Sequence, residues 1–212
     1  MATSKLPVGV IGSGRGSNLR AILDACDRPE FPAQVVCVLS DVADSGCLQI
    51  ARERKISNRH IPPGKYRTKL EPEIEVQYAC ALREAGVKLV VLAGYMRVVK
   101  EPLLREFAGR IINIHPSLLP AFRGLAAWKQ ALDAGAKTTG CTVHFVDDGM
   151  DTGPIILQAK VPVLTGDSAE GLHARIQKEE HRVYPEAIQL FAEGRLQIEG
   201  RTVKIRPCDN SR

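Results

Sequence analysis

The sequence lacks the cysteine patterns that cross-link small secreted domains or bind zinc. No two of its six cysteines form Cys-x-x-Cys, and no cysteine–histidine set has the spacing of a zinc finger. Several cysteines lie inside apolar runs, as Cys37 does between two valines. We interpret them as small core residues of a protein in a reducing compartment, and we predict no metal site.

The sequence also has few features of a nucleic-acid-binding or membrane protein. Aromatic residues make up 5% of it, the net charge is a modest +5, and the basic residues are scattered. No apolar run is long enough to span a bilayer, and the start lacks the apolar core of a secretory signal. We expect a cytoplasmic protein that binds small molecules as a monomer or homodimer, without nucleic acid or membrane partners.

What the sequence does contain is the composition of a globular domain. Its 212 residues are 44% hydrophobic and 25% charged, which is enough apolar material for a core. We find no internal repeat, low-complexity tract or interdomain linker. The sequence therefore predicts a single domain over residues 1–212, with a disordered tail at residues 207–212.

Short apolar runs alternate with helical patterns along most of the chain, which predicts an α/β fold with a doubly wound sheet and helices on both faces. Two strands joined by a loop, at residues 139–146 and 155–163, should pair antiparallel, so we expect a mostly parallel but mixed sheet. Residues 196–198 and 202–205 resemble a hairpin. The other predicted strands are residues 8–12, 34–39, 58–61, 88–92 and 110–115, and the predicted helices are residues 19–26, 46–55, 70–85, 101–107 and 125–134.

A long helical face follows residue 167. Asp167 with Glu170 resembles a capping box at its start. Pro185 lies inside the pattern and lacks a backbone N–H, so we expect it to kink or divide the helix.

The stretch at residues 110–120, RIINIHPSLLP, is the most informative in the chain. Its isoleucines predict a buried strand, and side chains alternate faces along a strand. Asn113 and His115 should therefore share one face, and Pro116 favours extended backbone through His115. An amide and an imidazole at a strand end can bind a carbonyl oxygen and move a proton, although a turn residue and a surface histidine would give the same short pattern.

Two loops carry further candidate residues. Residues 12–18, GSGRGSN, join a strand to a helix and predict either an anion site or simply a tight turn. They lack the Gly-Lys-Ser/Thr of a P-loop, and Ser17 replaces the last glycine of the dinucleotide pattern. Asp151 lies in an acidic, glycine-rich loop, either as an acidic partner of the imidazole or as a turn residue. His144 is mid-strand and is interpreted as a packing or supporting residue.

Several of these motifs occur together, and in the same order, in a known family of enzymes. The chain resembles the glycinamide ribonucleotide formyltransferases over roughly residues 8–205, and the Asn-Ile-His-Pro-Ser-Leu-Leu-Pro run is shared more loosely with other formyl-tetrahydrofolate enzymes. The resemblance implies a formyltransferase-like Rossmann variant, with a nucleotide-binding half at residues 8–123 and a folate-side half at residues 124–206. The motifs are Gly14–Asn18, Leu92–Arg97, Asn113–Pro120, Thr142–Val146, Asp151–Gln158 and Gln177–His181.

The resemblance also implies an activity and the residues that perform it. A formyl group would pass from 10-formyltetrahydrofolate, the co-substrate, to the amine of glycinamide ribonucleotide in purine biosynthesis. Asn113, His115 and Asp151 would be catalytic. The ribonucleotide would be held by Gly16, Ser17, Asn18, Gln177, Lys178, Glu179 and Glu180. The folate would be held by Lys69, Met96, Arg97, Val98, Val99, Asn113, Asp147, Asp148, Gly149 and Met150, with Lys69 as the best match to a basic residue of the family.

The chemistry of these side chains agrees with that activity. An amine that attacks a formyl amide builds a tetrahedral oxyanion, which the Asn113 amide and a protonated His115 can stabilise. A nearby carboxylate, here Asp151, favours the protonated form of an imidazole. No cysteine or serine is set beside a base, so an acyl-enzyme is not expected.

Three other functions fit parts of the pattern. A formyltetrahydrofolate deformylase would share the Asn/His/Asp set and release formate, but such enzymes carry an extra N-terminal domain for which this sequence leaves little room. A methionyl-tRNA formyltransferase would need a C-terminal RNA-binding domain. A regulatory nucleotide-binding module could use the glycine loop with Asp41 as a ribose ligand, but it would leave Asn113, His115 and Asp151 without a role.

Overall fold

The computed structural model describes residues 4–208, so most of the predicted disordered tail lies outside the described residues. The chain forms a nine-stranded mixed sheet with helices packed against it, as predicted. The strands are β1 (Leu6–Ile11), β2 (Ala33–Ser40), β3 (Ser57–His60), β4 (Leu89–Leu92), β5 (Ile111–His115), β6 (Thr138–Phe145), β7 (Ile155–Pro162), β8 (Leu196–Glu199) and β9 (Thr202–Ile205). The helices are α1 (Ser17–Cys26), α2 (Gly46–Glu53), α3 (Pro72–Glu84), α4 (Leu103–Glu106), α5 (Ala127–Asp133) and α6 (Ala169–Ala192).

The sheet has the order β3-β2-β1-β4-β5-β6-β7-β9-β8. Strands β1 to β5 pair in parallel, whereas β6 runs antiparallel to both β5 and β7. The predicted hairpin of β8 and β9 is present and joins the sheet through β7. Strand order reverses between β1 and β4, so the connections that follow these two strands lead in opposite directions along the sheet. In α/β sheets the crevice at such a point binds ligands.

Two apolar cores lie on opposite faces of the sheet because alternate residues of each strand point to opposite sides. On β4, Leu89 and Val91 pack in one core with α1, α2 and α6, while Val90 and Leu92 pack in the other with α3 and α4. All four residues of β4 are buried, as its continuous apolar run predicted. The phenol of Tyr184, on α6, reaches the carbonyl oxygens of Leu92 and Ile112 at 2.9 and 3.1 Å and fixes α6 above the ends of β4 and β5.

The structure contradicts two predictions about α6, its division at Pro185 and its capping by Asp167. Pro185 does not divide the helix, which is continuous from Ala169 to Ala192. Pro185 is buried in the middle of the helix, so tertiary packing outweighs the lost backbone hydrogen bond. The helix is capped by Ser168, whose hydroxyl accepts from the Gly171 N–H at 3.0 Å, and not by Asp167. Asp167 instead forms a two-point ion pair with Arg175.

Within residues 4–208, no helix combines the length and the apolar composition needed to cross a bilayer.

Candidate active site

A cavity of about 440 Å³ opens at the carboxyl ends of β1, β4 and β5. Its wall includes the three stretches that follow those strands, residues 14–18, 92–99 and 113–116. The loop between β6 and β7 and the first half of α6 close the remaining sides. The fold therefore brings the predicted glycine loop, the Asn113–His115 strand end and the Asp151 loop to one site.

The glycine loop enters α1 through a left-handed residue. Gly16 has a φ of 82°, and a Cβ there would lie 2.7 Å from the Ile50 side chain, so no other residue fits this turn without a shift. Gly16 is the N-cap of α1 and supplies no side chain to accept from the first N–H groups of the helix. Because Ser17 and Asn18 line the cavity, these N–H groups make this end of the cavity suited to an anion.

The orientation of the Asn113 amide is determined by a buried histidine. Nδ1 of His144 lies 2.7 Å from the Phe145 carbonyl oxygen, which can only accept, so Nδ1 carries the proton. Burial lowers the pKa of His144 and keeps the ring neutral, so its Nε2 is an acceptor. Nδ2 of Asn113 lies 3.2 Å from that Nε2 and must donate to it. The second amide hydrogen of Asn113 is left for a ligand in the cavity.

His115 is buried between two oxygen acceptors. Its Nε2 lies 2.8 Å from the Phe122 carbonyl oxygen, and its Nδ1 lies 3.4 Å from Oδ2 of Asp151. The imidazolium form alone can donate to both. The distance to Asp151 exceeds that of an ordinary N–H···O hydrogen bond, which leaves Nδ1 loosely held and able to serve a ligand.

Asp151 is the acidic centre of the site. Besides facing His115, its Oδ2 accepts from the Gly124 N–H at 2.8 Å, and its Oδ1 lies 3.8 Å from Nε2 of His144. The structure thus favours the interpretation of Asp151 as the partner of the imidazole. Asp151 also adopts a left-handed φ of 52°, which aspartate tolerates better than most residues.

Backbone strain is concentrated around this carboxylate. Phe122 and Ala126 have φ values of 53° and 51°, an unusual conformation for residues other than glycine. The carbonyl of Phe122 is the one that His115 contacts, and Ala126 lines the cavity. The strained segment therefore supports the imidazole directly.

At the glycine-loop end of the cavity, a hydrogen bond between Asn18 and Glu180 joins α1 to α6. Nδ2 of Asn18 donates to Oε2 of Glu180 at 2.9 Å, and the two residues are 8% and 4% exposed. Burial raises the pKa of Glu180 above its ordinary range, so the neutral, protonated form of this carboxyl is favoured. Oδ1 of Asn18 is buried without a partner among the described residues. Gln177 lies on the same wall of the cavity.

The opposite end of the cavity is more apolar and has an open rim. Met96 and Met150 are 60% and 55% exposed at its mouth, and Val98 and Val99 lie deeper. Arg97 also lines the cavity, but its guanidinium is paired with Asp41 at 2.7 Å. This end can cover a flat ring system.

The acidic loop between β6 and β7 is folded by its own side chains. Oδ1 of Asp147 accepts from the Thr152 hydroxyl at 2.6 Å and from the Gly149 N–H at 3.2 Å. Asp147, Gly149 and Met150 line the cavity. The loop is thereby held against the site with Asp151 at its inner edge.

Four of the predicted site residues do not line the cavity. The ammonium group of Lys69 lies over the Tyr66 ring, 4.7 Å from its centroid. Lys178 is exposed on α6, and Glu179 pairs with Arg182. Asp148 contacts Lys100 through its carbonyl oxygen. Their proposed contacts with substrates stay predictions.

Other cavity residues were not identified from the sequence. His144 was interpreted as a packing or supporting residue, yet it contacts Asn113 directly because β5 and β6 pair with these two residues opposite each other. Trp128 and His173 stack face to face on the cavity wall and had no sequence signal, because their contact joins α5 to α6. Arg15 lines the cavity as well.

Within residues 4–208, no group of three or more histidine, cysteine, aspartate or glutamate side chains is placed to hold a metal ion.

Comparison with known proteins agrees with the geometry. The family model described as formyl transferase matches residues 7–188. The phosphoribosylglycinamide formyltransferase of Haemophilus influenzae is 40% identical over 191 residues, covering 90% of this chain and 89% of that protein. The crystal structure of glycinamide ribonucleotide transformylase 1 from Symbiobacterium toebii has a TM-score of 0.92 and 54% identity, covering 96% of this chain and 95% of that one. The resemblance predicted from the motifs is confirmed.

Two further likenesses limit the interpretation. The trifunctional purine biosynthetic protein adenosine-3 of Gallus gallus is 42% identical over 196 residues, but the chain spans only 19% of that protein's length. A formyltetrahydrofolate deformylase from Pseudomonas syringae has a TM-score of 0.88 at 27% identity, and the chain covers 67% of it. The fold is therefore common to transferases and a hydrolase, and the sequence is nearer to the transferases.

Proposed function

Because the chain belongs to the formyl transferase family, we propose that it transfers the formyl group of 10-formyltetrahydrofolate to the amine of glycinamide ribonucleotide. One observation carries the proposal: Asn113, His115 and Asp151 meet in a cavity whose two ends differ in chemistry. One end is an uncapped helix start suited to a phosphate, and the other is an open apolar rim suited to a pterin ring.

The ribonucleotide occupies the end beside α1 in this proposal. Its phosphate accepts hydrogen bonds from the backbone of Gly16 and Ser17 and from the Ser17 hydroxyl. Oδ1 of Asn18, buried without a partner among residues 4–208, accepts from a ribose hydroxyl. Gln177 and Glu180 contact the sugar and glycinamide portion from α6. The substrate amine then points toward the Asn113–His115 strand end.

The folate occupies the apolar end. Met96, Val98 and Val99 cover one side of its ring, and the loop with Asp147, Gly149 and Met150 covers the other. The cavity volume of about 440 Å³ and the apolar residues of this end fit the flat pterin ring, with the formyl-bearing nitrogen of the adjoining linker turned toward Asn113 and His115.

The reaction follows from the geometry of the three central side chains. The substrate amine attacks the formyl carbon, a new C–N bond forms, and the carbonyl electron pair moves to oxygen. Asn113 donates its free amide hydrogen to that oxyanion, and the His115 imidazolium stabilises the same charge. The oxyanion's electron pair then re-forms the C=O bond as the bond to the folate nitrogen breaks. That nitrogen leaves with the bonding pair and takes a proton, and the attacking amine loses one. The Asp151 carboxylate faces Nδ1 of His115 at 3.4 Å on the side away from the Phe122 carbonyl.

The structure argues against the regulatory nucleotide-binding module and leaves the deformylase as an alternative. Asp41, the ribose ligand of a regulatory module, already accepts from the Ser13 hydroxyl at 2.6 Å and pairs with Arg97, so it is not free for a ribose. A deformylase would use the same three central residues with water in place of the amine. The similarity in fold to a deformylase keeps hydrolysis as the second candidate.

The decisive experiment measures turnover of 10-formyltetrahydrofolate with and without glycinamide ribonucleotide. Turnover that requires the ribonucleotide and yields its formyl derivative supports the transferase, whereas formate release that ignores the ribonucleotide supports the hydrolase. Asn113→Ala and His115→Ala should each lower kcat about 10²- to 10³-fold while the protein stays folded, since each removes one oxyanion-stabilising group. Near-normal turnover in either folded variant would remove that residue from the mechanism.

We also propose a cytoplasmic location and small-molecule partners only. All six cysteines are free thiols, three of them buried in the core, as suits a reducing compartment. Recovery of the chain in an oxidising compartment would contradict this.

A further inference from the structure

The ribonucleotide end of the cavity contains a cation that the proposed mechanism does not use. Arg15 follows Gly14 in the glycine loop, is exposed, and lines the cavity. Among residues 4–208, Arg15 is in no ion pair or side-chain hydrogen bond, whereas Arg97 at the folate end is paired with Asp41. The Arg15 guanidinium has five N–H donors and lies beside the N-terminus of α1, which is suited to an anion. It can therefore bind a phosphate through two hydrogen bonds.

The backbone that carries Arg15 is held against α2. The Cys47 N–H donates to the Gly14 carbonyl at 3.3 Å. A Cβ on Gly46 would lie 2.3 Å from the Arg15 carbonyl oxygen, so the loop rests directly on glycine backbone. The position of the Arg15 Cα is therefore set, and the side chain reaches the cavity from a rigid base.

A second nitrogen donor lies on the same wall. His173, on α6, stacks on Trp128, on α5, with 3.8 Å between ring centroids and 3° between ring planes. The stack fixes the plane of the imidazole at the edge of the cavity. Arg15 is near enough to His173 for its charge, second to burial, to lower the pKa of that histidine. The Arg15 guanidinium and the His173 imidazole therefore lie close enough to contact the same ligand.

The polar groups around this site are already arranged for an anionic ligand with hydroxyl groups. Asn18 is 8% exposed and lines the same end of the cavity, and its buried Oδ1 has no hydrogen-bond partner among the described residues. The one buried carboxyl nearby, Glu180, has its pKa raised by burial and is bonded to Asn18. An anion bound here meets little opposing charge.

We propose that Arg15 and the His173 ring, held in place by Trp128, recognise the phosphate group of the ribonucleotide and make the enzyme selective for the phosphorylated substrate. This inference rests on the proposed function and adds residues to it. The phosphate lies between the α1 N-terminus and the Arg15 guanidinium, with the edge of His173 donating from the α6 side. Arg15 and His173 are binding residues and take no part in formyl transfer itself.

The test compares glycinamide ribonucleotide with glycinamide riboside, which lacks the phosphate. Arg15→Gln should raise KM for the ribonucleotide about 10- to 100-fold, and His173→Leu about tenfold, because charge-assisted hydrogen bonds are lost. Both variants should keep the KM for the folate and, for the riboside, should differ little from wild type. Arg20→Gln removes the same charge from the exposed face of α1, outside the cavity, and is the matched control that should change nothing.

Each outcome separates this proposal from the proposed function. If wild type transfers formyl and Arg15→Gln leaves the ribonucleotide KM unchanged, the phosphate assignment is wrong while the function stands. If Arg15→Gln weakens riboside and ribonucleotide equally, the residue shapes the loop and does not read the phosphate. If wild type transfers no formyl, the proposed function fails. Calorimetry with ribose 5-phosphate then decides the phosphate assignment alone, because loss of that binding in Arg15→Gln supports it and unchanged binding overturns it.

Discussion

Nδ2 of Asn113 and Nε2 of His144 lie 3.2 Å apart on adjacent antiparallel strands, directly opposite each other in the β5–β6 register. The proton on His144 Nδ1 is donated to the Phe145 carbonyl oxygen. The other ring nitrogen, Nε2, must therefore accept, and the Asn113 amide must donate to it. A buried, neutral histidine thus determines which edge of the Asn113 amide faces the cavity.

Replacing His144 should impair turnover more than binding. In His144→Phe the amide of Asn113 loses its acceptor and its fixed orientation, so we expect kcat to fall about 10- to 100-fold with KM for both substrates nearly unchanged. His144→Gln offers an amide oxygen in place of Nε2 and should retain more activity than the phenylalanine variant. Steady-state kinetics on folded protein test this, and equal activity of the two variants would argue against an orienting role.

Removing the charge of Asp151 should also affect kcat. Asp151→Asn can keep the hydrogen bond from the Gly124 N–H and tolerates the same left-handed backbone, but it no longer presents a carboxylate to His115. We expect kcat to drop about 10²-fold or more, since less of the oxyanion's charge is balanced. Asp44→Asn, at an exposed position outside the cavity, is the control. Equal kcat in both variants would make Asp151 a loop-shaping residue.

The buried carboxyl of Glu75 should make the stability depend on pH. It is 1% exposed, and burial, opposed by a hydrogen bond from the Lys100 N–H, raises its pKa from 4.5 to about 7. Between these values the unfolded chain has lost the proton that the folded chain keeps. The free energy of unfolding should therefore fall as pH rises from 4.5 to about 7 and then level off.

Glu75→Gln should abolish this fall. The expected difference between wild type and variant is roughly 2–3 kcal/mol over the window, measured by urea unfolding at pH 5, 6 and 7.5. Glu73→Gln, an exposed position on the same helix, should keep the wild-type slope. A slope in Glu75→Gln equal to that of wild type would assign the pH dependence to other groups.

A stabilising substitution is available at the end of α2. Lys55 has a φ of 54° at the position where helices usually place glycine, and the Ile56 N–H reaches back to the Ala51 carbonyl at 2.8 Å in the accompanying hydrogen-bond pattern. Lys55→Gly should raise the free energy of unfolding by about 1 kcal/mol and leave kcat unchanged. Lys55→Ala keeps the strained backbone and should gain nothing, so a gain in the alanine variant would show another cause.

The parts of the fold that were predictable depend on local periodicity. The buried run of β4 and the shared face of Asn113 and His115 follow from an alternation of two residues along a strand, which any strand obeys. Their location at one sheet edge followed from the rule for parallel strands. The position of Asp151 did not follow from that rule, because β6 runs antiparallel to β5 and Phe145, at its carboxyl end, lies opposite Ile112 near the start of β5.

The parts that could not be predicted depend on register and packing. The contact between Asn113 and His144 needs the pairing of β5 with β6, which are separated by a helix, and no local pattern specifies that register. Pro185 was expected to kink or divide α6, but the helix is not divided, because burial of its apolar face outweighs the low helix propensity of proline. The stacking of Trp128 on His173 is likewise set by how α5 meets α6.

Trp128 is the single tryptophan of the chain, so all of the protein's indole emission comes from the wall of the cavity. Its ring is covered by the His173 imidazole at van der Waals distance, so the surroundings of the indole depend on that histidine. Any event that changes the charge or the tilt of His173 is thereby converted into a change of light intensity. Unmodified protein should therefore report the filling of one end of its cavity in an ordinary fluorimeter, without an attached dye.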